Sequence, residues 1–152
     1  MTGLDVFQEC AAADTKIART REKIERRRAL ASSCTTRPLS PAGGSSGSGD
    51  ASMRMLNYVA DIEALENDVR RQEAARDAYR GCCLYLAELL PDNLAGVALR
   101  YYLEHKGQKV IAAEMDYSQA HIKRLKRNAD EELRRIEIIA WDRQHVPLYA
   151  LH

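Results

Sequence analysis

Hydrophobic residues recur every seven positions along two long stretches of the chain that contain almost no proline or glycine. The first stretch runs from Leu4 to Cys34, and the second runs from Ser52 to Leu90 with only Gly81 as an interruption. This spacing places hydrophobic side chains on one face of a helix, as in a coiled coil, and predicts two long helices. In the second helix the repeat is carried by Met55, Ile62, Val69, Cys83 and Leu90 and by Tyr58, Leu65, Tyr79 and Leu86.

The two predicted helices pair when the chain folds back at the segment between them. That segment, residues 35–52, is rich in proline, glycine and serine, which is typical of a flexible loop. Folding the chain at the middle of this segment sets Thr20 opposite Val69. We therefore predict an antiparallel coiled-coil helical hairpin over residues 1–90. Its seam contains many alanine, threonine and cysteine residues, so we expect a second copy of the chain to pair with it as a homodimer.

The rest of the chain predicts a smaller helical domain over residues 91–143. Helices are expected from about Leu94 to His105, from Gln108 onward, and from after Ser118 to about Arg143. The segment shows no alternating pattern typical of β-strands. Residues 144–152 are predicted to form a tail.

The stretch from Gln108 to Arg127 has the residue types of a helix-turn-helix at the required spacing. Its first helix needs a large apolar residue followed by a small one, because the second helix crosses closest there. Asp116 is a turn residue that tolerates a positive φ angle, and Ser118 can cap the second helix. The inward-facing positions are predicted to be Ile111, Ala112, Met115, Tyr117, Ile122 and Leu125. The predicted fold class is therefore all-α, with an N-terminal antiparallel coiled-coil hairpin followed by a helix-turn-helix domain.

The helix that follows Ser118 presents its polar residues on the face opposite to the apolar positions. From His121 to Asn128 it has four cations and no acid. In a helix-turn-helix the N-terminal part of this helix enters the major groove, where glutamine can bind adenine and arginine or lysine can bind guanine or phosphate. A serine hydroxyl at the helix N-terminus can bind a phosphate oxygen. The predicted DNA-binding residues are Ser118, Gln119, Ala120, Lys123, Arg124 and Arg127, with Lys126 on the flank.

The overall charge neither favours nor excludes nucleic acid as a partner. The chain has 23 basic and 22 acidic residues, so binding must depend on local clusters. A second basic cluster covers residues 18–28. It is interpreted either as a solvated face of the coiled coil or as an auxiliary phosphate contact.

The sequence contains no arrangement typical of an enzyme, a metal centre or a cofactor site, so no catalytic residue, metal or cofactor is predicted. The cysteines lack metal-binding spacing, and we expect them to be small hydrophobic residues: Cys10, Cys34, Cys82 and Cys83. The first residues do not resemble a signal peptide, and no stretch is apolar enough to span a membrane. We therefore expect a location in the cytoplasm of a bacterial host and no membrane partner.

The segment "LRYYLEHKGQKVIAAEMDYSQAHIKRLKRNADEEL", Leu99–Leu133, resembles the fourth region of the sigma-70 family factors. It is particularly similar to short phage and prophage proteins that carry this region behind a helical hairpin, such as late transcriptional regulators of the ArpU and RinA kind. Asp116 departs from the pattern, since glycine is usual there. The resemblance implies RNA polymerase as a second partner. It also implies contact with double-stranded DNA through Gln119, Ala120, Lys123, Arg124 and Arg127.

A complete sigma factor also needs an aromatic-rich basic region that melts promoter DNA, and this chain has none outside its last domain. The resemblance therefore predicts a sequence-specific transcriptional regulator of phage type that acts as an accessory activator. Two alternatives stay open. One is a phage DNA-packaging component similar to a terminase small subunit, and the other is a protein-interaction module that binds RNA polymerase.

Overall fold

The long hydrophobic repeats form long helices in the structure, a computed structural model that describes residues 1–35, 48–141 and 147–152. The elements in chain order are α1 (Gly3–Thr35), α2 (Ser48–Ala87), α3 (Asp92–Ala98), a π-helix (Leu99–Leu103), α4 (Gln108–Met115), α5 (Gln119–Arg135), β1 (Ile136–Trp141) and β2 (Pro147–Leu151). The fold is predominantly helical, which confirms the all-α class apart from one pair of short strands. Most of the predicted loop, residues 36–47, lies outside the described residues, and its two ends belong to α1 and α2.

Contacts between residues divide the chain into two compact units, each with its own hydrophobic core. The first unit contains residues 1–14 and 74–152, and the second contains residues 15–73. This division differs from the predicted boundary at residue 90. The reason is that the first turns of α1 and the last turns of α2 contribute to the same core as the C-terminal elements.

In the second unit, α1 and α2 pack through a narrow hydrophobic seam. Ile17, Ile24 and Val69 are buried there, and Ile62 and Leu65 pack against them. Ile62, Leu65 and Val69 belong to the seven-residue repeat predicted for the second helix, and Ile17 and Ile24 lie seven residues apart in the first. The small size of this core agrees with the many small residues that the sequence places along the seam.

Polar contacts across the seam show that α1 and α2 run antiparallel in this unit. The Thr20 hydroxyl donates to Oε1 of Gln72 at 3.2 Å, and Arg28 forms an ion pair of 2.8 Å with Glu66. As residue numbers rise along α1, the numbers of their partners fall along α2, as a hairpin requires. Arg27 lies 3.8 Å from Asp61, one residue from the alignment that sets Thr20 opposite Val69, whereas Thr20 and Arg28 bond to residues further along α2. The Thr20 hydroxyl thus bonds to a glutamine amide three residues beyond Val69.

The core of the first unit is formed by the start of α1, the end of α2, and helices α3, α4 and α5. Its completely buried large side chains are Phe7, Leu86, Ile111, Ile122 and Leu133. These residues are separated by up to most of the chain length. A core of this kind joins both ends of the described sequence in one folded unit.

Three of the four cysteines lie in this core as free thiols. Cys10, Cys82 and Cys83 are buried, which confirms the expectation of small hydrophobic residues for these three, while Cys34 is half-buried. Burial raises the pKa of Cys82 to about 12. The hydrogen bond with Cys10, together with burial, raises the pKa of Cys83. Because the thiolate is the reactive form, Cys82 and Cys83 are inert at neutral pH.

The C-terminal part of the chain departs from the prediction, because α5 ends at Arg135 and two strands follow it. Strands β1 and β2 pair antiparallel, with Ile138 opposite Tyr149. The predicted continuation of the last helix to Arg143 is therefore wrong. The predicted tail, residues 144–152, is also wrong for its described part, which forms β2.

Strand β1 has a sequence signal that a helical interpretation overlooks. Ile136 and Ile138 are buried, and Glu137 between them is exposed. This two-residue alternation is the period of a strand, and β-branched residues favour strands. In addition, the Ile138 N–H donates to the carbonyl of Met1 at 2.9 Å. That partner is remote in the sequence, so no local pattern could indicate it.

Candidate nucleic-acid interface

Helices α4 and α5 lie where the sequence predicted the two helices of a helix-turn-helix, and they share a hydrophobic core. The predicted positions that are buried in this core are Ile111, Ala112, Ile122 and Leu125. Met115 is half-buried and lies against Gly96 of α3, where a Cβ atom would come within 3.3 Å of the Met115 methyl carbon. The missing side chain at Gly96 thus lets Met115 pack closely on α3.

The turn between α4 and α5 has the conformation that its residues favour. Asp116 ends α4 in a left-handed conformation, with φ 57° and ψ 39°. The Tyr117 N–H donates to the carbonyl of Ala112 at 3.0 Å and satisfies the C-terminus of α4. Ser118 caps α5, because its hydroxyl oxygen accepts a hydrogen bond of 3.2 Å from the N–H of His121. The predicted left-handed residue and the predicted N-cap are both confirmed.

Tyr117 does not occupy the inward position that the sequence predicted. Its side chain is 40% exposed, and its ring packs edge-to-face on the imidazole of His121 with 4.7 Å between centroids. Ile111 and Ile122 are completely buried without it. The Tyr117 ring thus lies on the surface beside the first turn of α5.

The N-terminal half of α5 presents a positively charged face to solvent. Arg127 is 4.0 Å from Glu131, which is the limit of an ion pair, and both side chains are exposed. Within the part of the chain that the structure describes, Lys123 and Arg124 have no acidic partner. Lys109, in the first turn of α4, is exposed and has no acidic partner there either. The predicted residues that the structure places on this exposed face are Ser118, Gln119, Ala120, Lys123, Arg124 and Arg127.

Lys126 does not belong to this face, although the sequence predicted it as a flanking DNA-binding residue. Its ammonium group donates to Oδ2 of Asp130 at 2.7 Å and to the hydroxyl of Tyr102 at 3.3 Å, and it lies 4.5 Å from the centroid of the Tyr101 ring. Burial alone would lower the pKa of Lys126, but the bonds with Asp130 and Tyr102 outweigh it and raise this pKa. Burial and the Asp130 carboxylate raise the pKa of Tyr102. Lys126 is therefore a charged residue whose partners are inside the protein.

The two tyrosines around Lys126 come from the π-helix, which the sequence did not indicate. The wider turn of this helix is shown by the Glu104 N–H, which donates to the carbonyl of Leu99 at 3.2 Å. Tyr101 and Tyr102 meet edge-to-face with 4.9 Å between centroids, and both rings lie close to the Lys126 ammonium group. Single π-turns within helical segments are frequent at functional sites. Here the π-turn brings two consecutive aromatic residues to the same cation on α5.

A second ion-pair cluster joins the π-helix and the residues after it to α4. Glu114 lies 3.1 Å from Nε of Arg100 and 2.8 Å from Nζ of Lys106. Hydrogen bonds from Lys106, and to a smaller extent from Arg100, lower the pKa of Glu114. The only acid within α4 is thus neutralised by cations of the same unit. Because these partners are not neighbours in the sequence, no local pattern predicts this cluster.

The chemistry available in this region is that of polar and charged side chains. Across residues 1–35, 48–141 and 147–152, no three His, Cys, Asp or Glu side chains are grouped so that they could hold a metal ion. Over these same ranges, no helix combines the length and apolar character that a membrane span requires.

Comparison of the chain with protein-family models found no match, and comparisons with curated proteins and with solved structures also found none. The resemblance to the fourth region of sigma-70 factors therefore depends on Leu99–Leu133 alone. The function proposed next depends on the geometry and charge of α4 and α5.

Proposed function

We propose that the first unit binds double-stranded DNA in a sequence-specific manner, with the N-terminal half of α5 in the major groove. The observation that carries this proposal is the pair of exposed cations Lys123 and Arg124, which have no acidic partner among the described residues. They follow a capped helix start, and no acid occurs between Tyr117 and Ala129. Recognition helices of helix-turn-helix proteins present their first turns to base edges in this way.

Each exposed residue has a defined task in this proposal. Gln119 can form paired hydrogen bonds with an adenine, and Lys123 and Arg124 can reach the acceptors of guanine. Ala120 has a small side chain, which allows close approach and contact with a thymine methyl group. Ser118 uses its oxygen as the helix cap, so its hydroxyl proton is available to a phosphate oxygen.

Arg127 and Lys109 are proposed to contact the phosphate backbone. Both side chains are exposed, and Lys109 lies at the start of α4, the helix that crosses the DNA backbone in this class of motif. Such contacts orient the protein without reading sequence. Lys126 is left out of the proposed interface because its partners are internal.

The biological role that we propose is that of an accessory transcriptional regulator of phage type, similar to the fourth region of sigma factors. RNA polymerase is a further proposed partner, and a location in the bacterial cytoplasm follows from this role. The role is supported by the resemblance of Leu99–Leu133 and by the left-handed turn at Asp116 and the Ser118 cap that connect α4 to α5. A DNA-packaging role would use the same DNA contacts, so only the bound sequence separates the two.

The test is a selection of bound fragments from the genome that encodes the chain, using the full-length protein. Lys123→Ala combined with Arg124→Ala should abolish the enrichment of selected fragments. Arg134→Ala combined with Arg135→Ala is the matched control, since it removes the same charge from the last turn of α5. Circular dichroism should show equal helical content in all three proteins.

The outcomes separate the candidate roles. Enrichment of promoter regions supports transcriptional regulation, and enrichment of a packaging site supports the terminase-like alternative. If Lys123→Ala with Arg124→Ala enriches the same fragments as the unmodified protein, α5 does not recognise DNA. A parallel pull-down measures whether the protein retains RNA polymerase. If RNA polymerase is retained and no DNA fragments are enriched, the exposed face of α5 is a protein-binding surface.

A further inference from the structure

Helix α1 separates its cations onto two faces within the second unit. One group faces α2 and forms ion pairs across the seam. Arg28 lies 2.8 Å from Glu66, and Arg27 lies 3.8 Å from Asp61. Arg21 is paired with Glu73. For these residues the interpretation of the basic cluster as a coiled-coil face is correct.

The other group runs along one side of α1, and two of its members, Lys23 and Arg26, lie beside Arg27. Lys16, Arg19, Lys23 and Arg26 follow one another at spacings of three, four and three residues, which keeps them on one side of a helix. We call these four residues the basic stripe. All four are exposed, and among the described residues only Arg26 forms an ion pair, with Glu22 at 3.9 Å. The stripe covers about 15 Å of helix.

Two open grooves between α1 and α2 show that the charge of the second unit is uneven. One groove, of about 620 Å³, is lined by Arg21, Arg28 and Arg70 and by an equal number of glutamates. The other groove, of about 550 Å³, is lined by Lys23, Arg26 and Arg27 but by only one acid, Asp61. The basic stripe thus continues into the groove whose positive charge is not balanced.

We propose that the basic stripe binds the phosphodiester backbone of a duplex nucleic acid without reading its sequence. Duplex DNA carries one negative charge per about 1.7 Å of its axis, so a row of cations of this length meets several phosphates. Long, exposed lysine and arginine side chains suit such contacts because they can follow the backbone. The charge of the stripe therefore complements a polyanion.

Other anionic partners fit the stripe less well. A helix that binds at a membrane surface needs a free apolar face, whereas Ile17 and Ile24 of α1 are buried against α2. No large hydrophobic side chain is exposed on α1 between Thr15 and Ala29, so an acidic protein would have to anchor beside the stripe, at Leu30 and Leu65 of the adjoining groove. Leu30 is the first such exposed residue after the stripe.

This proposal does not depend on the recognition of DNA by α5, because the stripe belongs to the second unit. Removing the cations of each site should also change DNA binding in a different way. Loss of the α5 cations should remove preference for a particular sequence. Loss of the stripe should weaken binding to all sequences equally and reduce its dependence on salt.

The experiment uses the full-length chain with Lys16→Gln, Arg19→Gln and Lys23→Gln combined. The control combines Arg54→Gln, Arg70→Gln and Arg71→Gln, which removes the same charge from exposed positions on α2 of the same unit. Both sets are made with and without Lys123→Ala and Arg124→Ala. Fluorescence anisotropy measures binding to a labelled DNA duplex and a labelled RNA duplex, both of arbitrary sequence, over a range of salt concentrations.

The stripe variant should lower the slope of log affinity against log salt by about 2 to 3, since each lost phosphate contact contributes about 0.9. The control should leave the slope unchanged. A change with DNA alone or with RNA alone identifies which nucleic acid supplies the phosphates. The proposal is overturned if the slope changes with neither duplex, or if the control changes it equally. Binding to phosphatidylserine vesicles is measured in parallel. The proposal is also overturned if the stripe variant loses vesicle binding while its duplex binding stays intact. Because the α5 changes are tested separately, failure of one site does not conceal the other.

Discussion

The ammonium group of Lys126 lies 2.7 Å from Oδ2 of Asp130, one helical turn further along α5. The two side chains are only 19% and 15% exposed. Lys126 therefore differs from Lys123, which precedes it by three residues in the same basic run and is exposed without an acidic partner among the described residues. Two lysines that look equivalent in the sequence have different roles, one inside the fold and one on its surface.

Replacing Lys126 should affect stability more than DNA binding. Lys126→Met leaves Asp130 with little exposure and without its cation, which we expect to cost about 1 to 3 kcal/mol of unfolding free energy. Lys123→Met is the matched control and should cost little stability but lower the salt slope of DNA binding by about 1. Chemical denaturation and anisotropy titrations measure the two effects. A salt slope that falls as much for Lys126→Met as for Lys123→Met would place Lys126 at the interface after all.

The left-handed conformation of Asp116 determines how substitutions at this position should change stability. This conformation costs a residue with a Cβ atom about 1 to 2 kcal/mol, and it costs aspartate less than alanine. We expect Asp116→Ala to lower the unfolding free energy by about 1 kcal/mol. Asp116→Gly should equal or exceed the original stability, since glycine adopts φ 57° without strain. Thermal unfolding measures both variants, and an alanine variant as stable as the glycine variant would contradict the observed turn.

Glu114 links the stability of the first unit to acid pH. Hydrogen bonds from Lys106 lower the pKa of Glu114 below its usual value of 4.5. Because the folded pKa is lower than the unfolded one, this group stabilises the fold above pH about 4.5, and that contribution is lost as pH falls through the folded pKa. Glu114→Gln should therefore flatten the acid side of the stability curve.

Lys106→Met tests the cause of this effect, since it removes the strongest partner of Glu114. It should flatten the acid side of the curve in the same direction as Glu114→Gln. The measurement is the unfolding free energy as a function of pH from neutral to acid. Parallel curves for Glu114→Gln and the unmodified chain would mean that the cluster does not form in solution.

Phe7 should stabilise helices that lie far from it in the sequence. It is completely buried, and its ring centroid is 5.7 Å from that of Tyr102 in the π-helix. Phe7→Ala should cost about 3 to 5 kcal/mol and speed hydrogen exchange in α3, α4 and α5. Val69→Asp is the comparison, because it should speed exchange chiefly within residues 15–73. Unchanged exchange in α5 of the Phe7 variant would contradict a core shared by the start of α1 and α5.

The turn between α4 and α5 could be predicted because its determinants are local. The left-handed turn at Asp116 and the cap at Ser118 depend on residues within four positions of each other, and the apolar spacing depends on the helical period. The exposed position of Tyr117 could not be predicted in the same way. Its ring can lie inside or outside the core for the same sequence spacing, and the packing of its neighbours decides which.

The long hairpin helices show a similar division between local and distant causes. The seven-residue repeat was sufficient to predict both helices and their antiparallel direction. The individual polar partners were not determined, because long polar side chains can reach residues on either side of the position opposite them. The hydrogen bond between Thr20 and Gln72 is one such contact.

The sequence by itself determined the helical class, the turn and cap of α4 and α5, and the set of residues able to form a cationic face. These features follow from helical periodicity and from the conformational preferences of single residues. Only the tertiary structure decided which cations stay on the surface, because Asp130 and the tyrosines of the π-helix remove Lys126 from it. Only the tertiary structure set the partners of β1, because Ile138 pairs with Tyr149 and its N–H donates to the carbonyl of Met1, and no local pattern indicates either contact. Contacts between residues distant in the sequence have no periodic signature, and they set the boundaries of this fold and of its candidate interface.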